Sequence, residues 1–177
     1  MRRFLDRLYA ASGALAAACL AGIAAVMLAQ AAMRAAGLLF RGADDIVAWL
    51  CAGSAFLAIG HTFRHGDLVR VSLLVERLPQ RLRRGAEIAC LGTALVVSAY
   101  ATWAVARFVY ESWKFAELAQ GLIRIPIWIP QMSLVIGTLI LLIAVLDEFV
   151  TLLRGGAPAY QRAVDQRRQA ADFSETL

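Results

Sequence analysis

Four long apolar runs, separated by short clusters of charge, divide this chain. They are free of Asp, Glu, Lys and Arg from Leu8 to Met33, from Ile46 to Phe63, from Ile88 to Ala106 and from Ile125 to Leu146. A helix needs about 20 apolar residues to cross the hydrocarbon of a bilayer, so each run predicts a span. The stretch between the second and third runs has a different pattern. After Gly66, Val69, Val71, Leu74 and Leu78 interleave with Arg70 and Arg77 as far as Pro79. That segment is too polar for hydrocarbon and too apolar for water, which predicts a short amphipathic helix over Asp67–Arg77 lying in the membrane interface. Leu74 would face lipid or partner helices, and Arg70 and Arg77 would face phosphate or water. The expected fold is all-α integral membrane: four transmembrane helices plus this interfacial arm helix between the second and third spans. Residues 1–156 form the expected four-helix domain and residues 157–177 a polar cytoplasmic tail.

Composition supports lipid as part of the solvent. The 177 residues are 60% hydrophobic, above the roughly 45–50% of soluble domains. One domain of this length has too little volume to hide so much apolar surface in its own core. The net charge of +5 comes from 18 Lys and Arg residues against 13 Asp and Glu. A basic chain often binds nucleic acid, but here the charges sit at the ends of apolar runs, which fits retention by a membrane leaflet and no nucleic acid partner.

Those charges also predict orientation. With the N-terminus inside, the inner segments carry Arg2, Arg3 and Arg7, then Arg64, Arg70, Arg77, Arg81, Arg83 and Arg84, then Arg154, Arg162, Arg167 and Arg168. The outer segments carry Arg34, Arg41, Lys114 and Arg124. The positive-inside rule places both termini in the cytoplasm. The basic start and Ala29-Gln30-Ala31 resemble a cleavable signal, yet the first apolar run is longer than the roughly 7–15 residues of a signal core, and a retained span is expected. Gly13, Ala17, Ala21, Ala25 and Ala29 recur every fourth residue along it. Such a stripe permits close helix approach, and it also arises from alanine content alone.

Smaller features refine the elements. Asp44 and Asp45 open the second span, where the helix dipole favours negative charge, and Trp49 suits an interfacial anchor. Arg107 and Glu111 stand at i,i+4 near the outer end of the third span, where an Arg is expected to snorkel. The outer loop is expected from Ser112 to Arg124.

Candidate chemistry is sparse. His61 and His65 have the i,i+4 spacing of a metal pair, but no Glu or further His stands near them in sequence to complete a site. Cys19, Cys51 and Cys90 fall within spans without CxxC spacing and read as small packing residues. The chain has no glycine-rich phosphate loop and no acid in the central part of any span, where proton and ion pathways usually keep one. Neither catalysis nor a cofactor in this chain is expected.

Four features resemble the small membrane subunit of tripartite ATP-independent periplasmic (TRAP) transporters, over roughly Val26 to Arg154. Gln30 and Arg34 match a Gln-x-x-x-Arg ending of the first helix. Asp44-Asp45 stands where that family opens its second helix with acid. Arg64 and Gly66, then Val69-Arg70-Val71 and Leu78-Pro79, resemble its arm, and Ile125-Pro126-Ile127-Trp128 its Pro-x-Trp entrance to the last helix. Asp67 replaces the family's usual His, Ser72 its usual Asp and Ala58 a frequent Gly.

The resemblance implies a scaffold subunit of a secondary transporter in the bacterial inner membrane. A periplasmic binding protein would deliver the solute, commonly an organic acid. A large membrane subunit would hold the sodium and substrate sites. Arg41, Asp45 and Trp49 would lie at the outer rim where the binding protein docks, and Leu74, Arg70 and Arg77 would meet lipid or the large subunit. Two other classes stay open. A self-sufficient homo-oligomeric transporter would want an acid within a span. A haem or quinone membrane anchor would want His on at least two helices.

Overall fold

A computed structural model of the chain describes residues 2–64 and 80–154. It contains four α-helices: α1 (Arg2–Ala35), α2 (Ala43–Arg64), α3 (Gln80–Lys114) and α4 (Trp128–Leu153). All four are long and apolar enough to cross a membrane. The expected interfacial helix at Asp67–Arg77, with Arg70, Leu74 and Arg77, lies outside the described residues.

The helices outrun the apolar segments that predict them. α1 has 34 residues and α3 has 35, about 50 Å each at 1.5 Å per residue, against a hydrocarbon core of about 30 Å. Lipid dictates the apolar middle of a helix, but backbone hydrogen bonding carries it on until something stops it. For α1 the stop is Gly37, with φ +75°. The Gly37 amide donates to Arg34 O at 3.1 Å and the Leu38 amide to Met33 O at 2.8 Å, a Schellman arrangement that satisfies carbonyls of the last turn. α3 ends by the same device. The Ala116 amide donates to Trp113 O at 3.2 Å and the Glu117 amide to Ser112 O at 3.0 Å. The left-handed position is there held by Ala116, at φ +49°. Trp113 and Lys114, expected in the outer loop, are therefore helical. α4 begins later than expected, because Ile125, Pro126 and Ile127 belong to a turn-back of the preceding loop.

Packing runs in a row: α1 lies on α2, α2 on α4, and α4 on α3. One buried cluster joins all four helices, with Tyr9 from α1, Phe63 from α2, Leu91 from α3, and Ile140, Ala144, Val145 and Leu152 from α4. It sits at the end where α1 begins and α2 finishes. The α2–α4 seam is the closest: a Cβ on Gly137 would strike the Phe56 backbone, and one on Gly60 would lie 2.6 Å from Ile140 Cγ2. Without a hydrophobic drive between helices in lipid, such close backbone approach is a main source of association.

Polar side chains add links between helices. The Ser12 hydroxyl donates to Leu57 O, and His61 Nδ1 donates to Tyr9 O at 3.0 Å, tying α1 to α2. Thr102 Oγ1 lies 2.8 Å from Ser98 O in its own helix and 3.2 Å from Thr138 O on α4. Each interhelical bond of this kind contributes about 0.6–2 kcal/mol in a membrane.

The alanine stripe of α1 is not the face that packs. Tyr9, Ser12 and Ala16 are buried against α2, whereas Ala17, Ala21, Ala25 and Ala29 are exposed. Gly13 alone of that stripe meets a neighbour, His61. Among the cysteines, Cys19 packs as expected, close to Gly53 where α1, α2 and α4 meet. Cys51 and Cys90 lie on exposed faces.

Candidate docking rim at the loop end

The end of the molecule carrying both connections, residues 36–42 and 115–127, brings together three of the residues singled out from sequence. The connection after α3 is a knitted turn-back rather than an open loop. The Ala119 amide donates to Ile125 O at 2.9 Å and the Ile127 amide to Glu117 O at 3.0 Å, making a bridge between Leu118 and Pro126. Ser112 Oγ donates to Glu117 Oε2 at 2.9 Å, closing its base onto α3.

Asp45 holds this turn-back against the rest of the chain. Its Oδ2 accepts from the backbone amides of Leu122 at 2.7 Å and Ile123 at 3.2 Å. A carboxylate receiving two amides makes the stronger class of hydrogen bond. Gly121 permits the approach, since a Cβ there would overlap the Asp45 carboxyl group. On the other side Ile123 presses on Gly42, at φ +86°. Asp44, exposed, accepts from Gln30 Nε2 at 3.4 Å. The two acids at the start of α2 therefore reach in different directions, one to α1 and one to the α3–α4 connection, besides suiting the positive end of the helix dipole.

Arg41 is exposed in the turn before α2, and Trp49 is half-buried one turn after Asp45. Around them stand apolar side chains with little cover: Leu39 is 78% exposed, Leu122 72%, Leu38 59% and Leu118 54%. The rim is thus apolar at its tips and basic at its flanks, with Arg41 and Arg124 exposed beside it. The other three candidates, Arg70, Leu74 and Arg77, fall outside the described residues.

Sequence reasoning missed several placements. Asp45 meets residues more than seventy positions away, which no local pattern encodes. Tyr100, Trp103, Tyr110 and Trp113 line an exposed side of α3. Their i,i+3 spacing within two pairs was the available signal, and the rings of each pair lie 6.0 Å apart. Arg107 pairs at 2.9 Å with Glu111, the i,i+4 neighbour visible in the sequence, and also lies 5.7 Å from the Trp103 ring centroid, a contact the sequence reading did not name. Glu148, just beyond the last apolar run, is buried at 3% exposure, which its position in the sequence did not signal. His61 is engaged between α1 and α2, and among the described residues no group of His, Cys, Asp and Glu converges as metal ligands do.

The family model described as "Tripartite ATP-independent periplasmic transporters, DctQ component" matches residues 23–155. No curated protein matches the chain.

Proposed function

The chain belongs to the family of DctQ components of tripartite ATP-independent periplasmic transporters, and on that premise we propose that it is the fixed scaffold of a sodium-coupled importer of an organic acid. The observation that carries this reading is the family match over 133 contiguous residues, 23–155, which takes in all of α2, α3 and α4. A large membrane subunit carries the sodium and substrate sites and moves the solute. This chain braces that subunit and offers its loop end, in the periplasm, to the binding protein. It is a multi-pass protein of the bacterial inner membrane with both termini in the cytoplasm.

Two features support the brace. The share of each span buried within the chain runs from 11% for the first to 33% for the fourth, so the row has broad apolar faces for lipid and a partner. The rim is preformed by Asp45 and by the turn-back, which lowers the ordering cost of a docking surface. The test is co-purification after co-expression with the neighbouring large subunit. A stable complex at one copy each is expected, in which Gln120→Cys reacts with an impermeant thiol reagent from outside and Ala170→Cys does not. A chain that purifies by itself as a homo-oligomer, or labels at Ala170→Cys from outside, would defeat the reading.

A further inference from the structure

A buried carboxamide stands at the start of α4. Gln131, in the first turn, is only 9% exposed, and its Oε1 accepts no hydrogen bond from the chain. We propose that this oxygen holds one ordered water, which also accepts the hydrogen bond of the Trp128 amide and so caps the last helix.

Three observations lead there. First, the start of α4 has no side-chain cap of its own. Ile127 fills the cap position and makes no side-chain bond, where Ser, Thr, Asp or Asn would satisfy one of the free amides. The Ile129 amide donates to Pro126 O at 3.2 Å and the Gln131 amide to Ile127 O at 3.4 Å. Pro130 has no amide hydrogen to satisfy. The Trp128 amide is left without an acceptor among the described residues.

Second, donor and acceptor come to one place. Helical side chains lean toward the N-terminus and lie over the preceding turn, so the Gln131 side chain lies over Trp128, three residues earlier. An unmet acceptor and an unmet donor there call for a group that both donates and accepts. Water does both. An anion would suit the amide and be repelled by the carboxamide oxygen, and a cation the reverse.

Third, the surroundings are polar enough to keep a water. α3 and α4 run antiparallel, with Gly92 beside Phe149 and Thr102 Oγ1 3.2 Å from Thr138 O. Ten residues further toward the loop end, Ser112 therefore stands level with Trp128. Ser112 is fully buried, and its hydroxyl donates to Glu117 Oε2 at 2.9 Å. Lipid offers no partner to a buried polar group, whereas a bridging water is nearly as good as a direct bond. The water fixes the first turn of α4 behind the turn-back, whether or not the rim docks a binding protein.

The experiment labels the full chain with nitrogen-15 tryptophan in detergent micelles. The four backbone amides are assigned with Trp49→Phe, Trp103→Phe, Trp113→Phe and Trp128→Phe. Water-selective Overhauser spectra in the rotating frame then read which amides lie beside bound water. A cross-peak is expected at the Trp128 amide and at none of Trp49, Trp103 and Trp113, whose amides lie within helices. Gln131→Met, of similar length, should abolish it while the other three amides keep their positions. Should Gln131→Met displace them, Gln131→Asn, whose carboxamide is one methylene shorter, carries the same expectation. Ser112→Ala should leave the cross-peak in place, which separates a bound water from relay through that hydroxyl. Absence of the cross-peak in the parent chain would mean a dry start to α4 and would overturn the proposal. So would its survival in the Gln131 variants, or its loss in Ser112→Ala.

Discussion

Asp45 is the residue on which the loop end turns. Its carboxylate receives the Leu122 and Ile123 amides, and hydrogen bonds to a charged group contribute about 1.5–3 kcal/mol. Losing them should free the turn-back around Arg124, an exposed trypsin site. Asp45→Ala is expected to raise the rate of cleavage after Arg124 by about tenfold or more, since 1.4 kcal/mol of local opening already gives a factor of about ten. Asp44→Ala, which removes one 3.4 Å contact to Gln30, should change that rate little. Equal cleavage in both variants would show that the turn-back stands without Asp45. A second residue tests helix termination. Ala116 occupies a left-handed position that costs a side-chain-bearing residue about 1–2 kcal/mol. Ala116→Gly should therefore raise the melting temperature in detergent by about 2–4 °C, whereas a fall would mean that the Ala116 methyl group makes a contact worth more than the strain.

The elements were legible where lipid imposes them and obscure where only the chain's own contacts do. Four uncharged runs announce four spans because no other arrangement hides that much hydrocarbon. Helix ends were less visible. The pattern stops at Ala106 although α3 continues to Lys114, because helical hydrogen bonds continue into water until a Schellman turn forms. The start of α4 was displaced for the opposite reason: Ile125, Pro126 and Ile127 look apolar enough to span, yet they pair back onto Ala119, Leu118 and Glu117. The packing face of α1 was left open by the sequence, because an alanine-rich helix shows a small-residue stripe on more than one side. Ser12, through the Leu57 carbonyl, and Gly13, against His61, settle which side meets α2. Ala16→Leu, at 4% exposure in the chain, is accordingly expected to destabilise the α1–α2 pair by about 1–3 kcal/mol through overpacking. Ala21→Leu on the exposed side should leave thermal stability of the isolated chain within about 0.5 kcal/mol of the parent. The reverse order in a melting experiment would mean that α1 packs through its alanine stripe.

At the scale of the whole molecule, a row of four helices has a consequence for function. Among the described residues its outermost helices α1 and α3 each lean on one main neighbour, which leaves broad apolar faces uncovered. Membership of the DctQ family makes the chain one component of a multi-part transporter, and the row shape suits a brace more than a carrier. His61 is a link within the chain, since its ring joins α1 to α2 through Tyr9 O at 3.0 Å. The central claim is that the chain is required for transport and carries no solute or sodium site of its own. The most direct test is uptake into reconstituted vesicles, with the binding protein and solute outside and a sodium gradient imposed. Sodium-dependent uptake is predicted only when this chain and the large subunit are both present, with His61→Ala retaining it. Uptake by the purified chain alone, or uptake abolished by His61→Ala in a complex that still assembles, would contradict the claim.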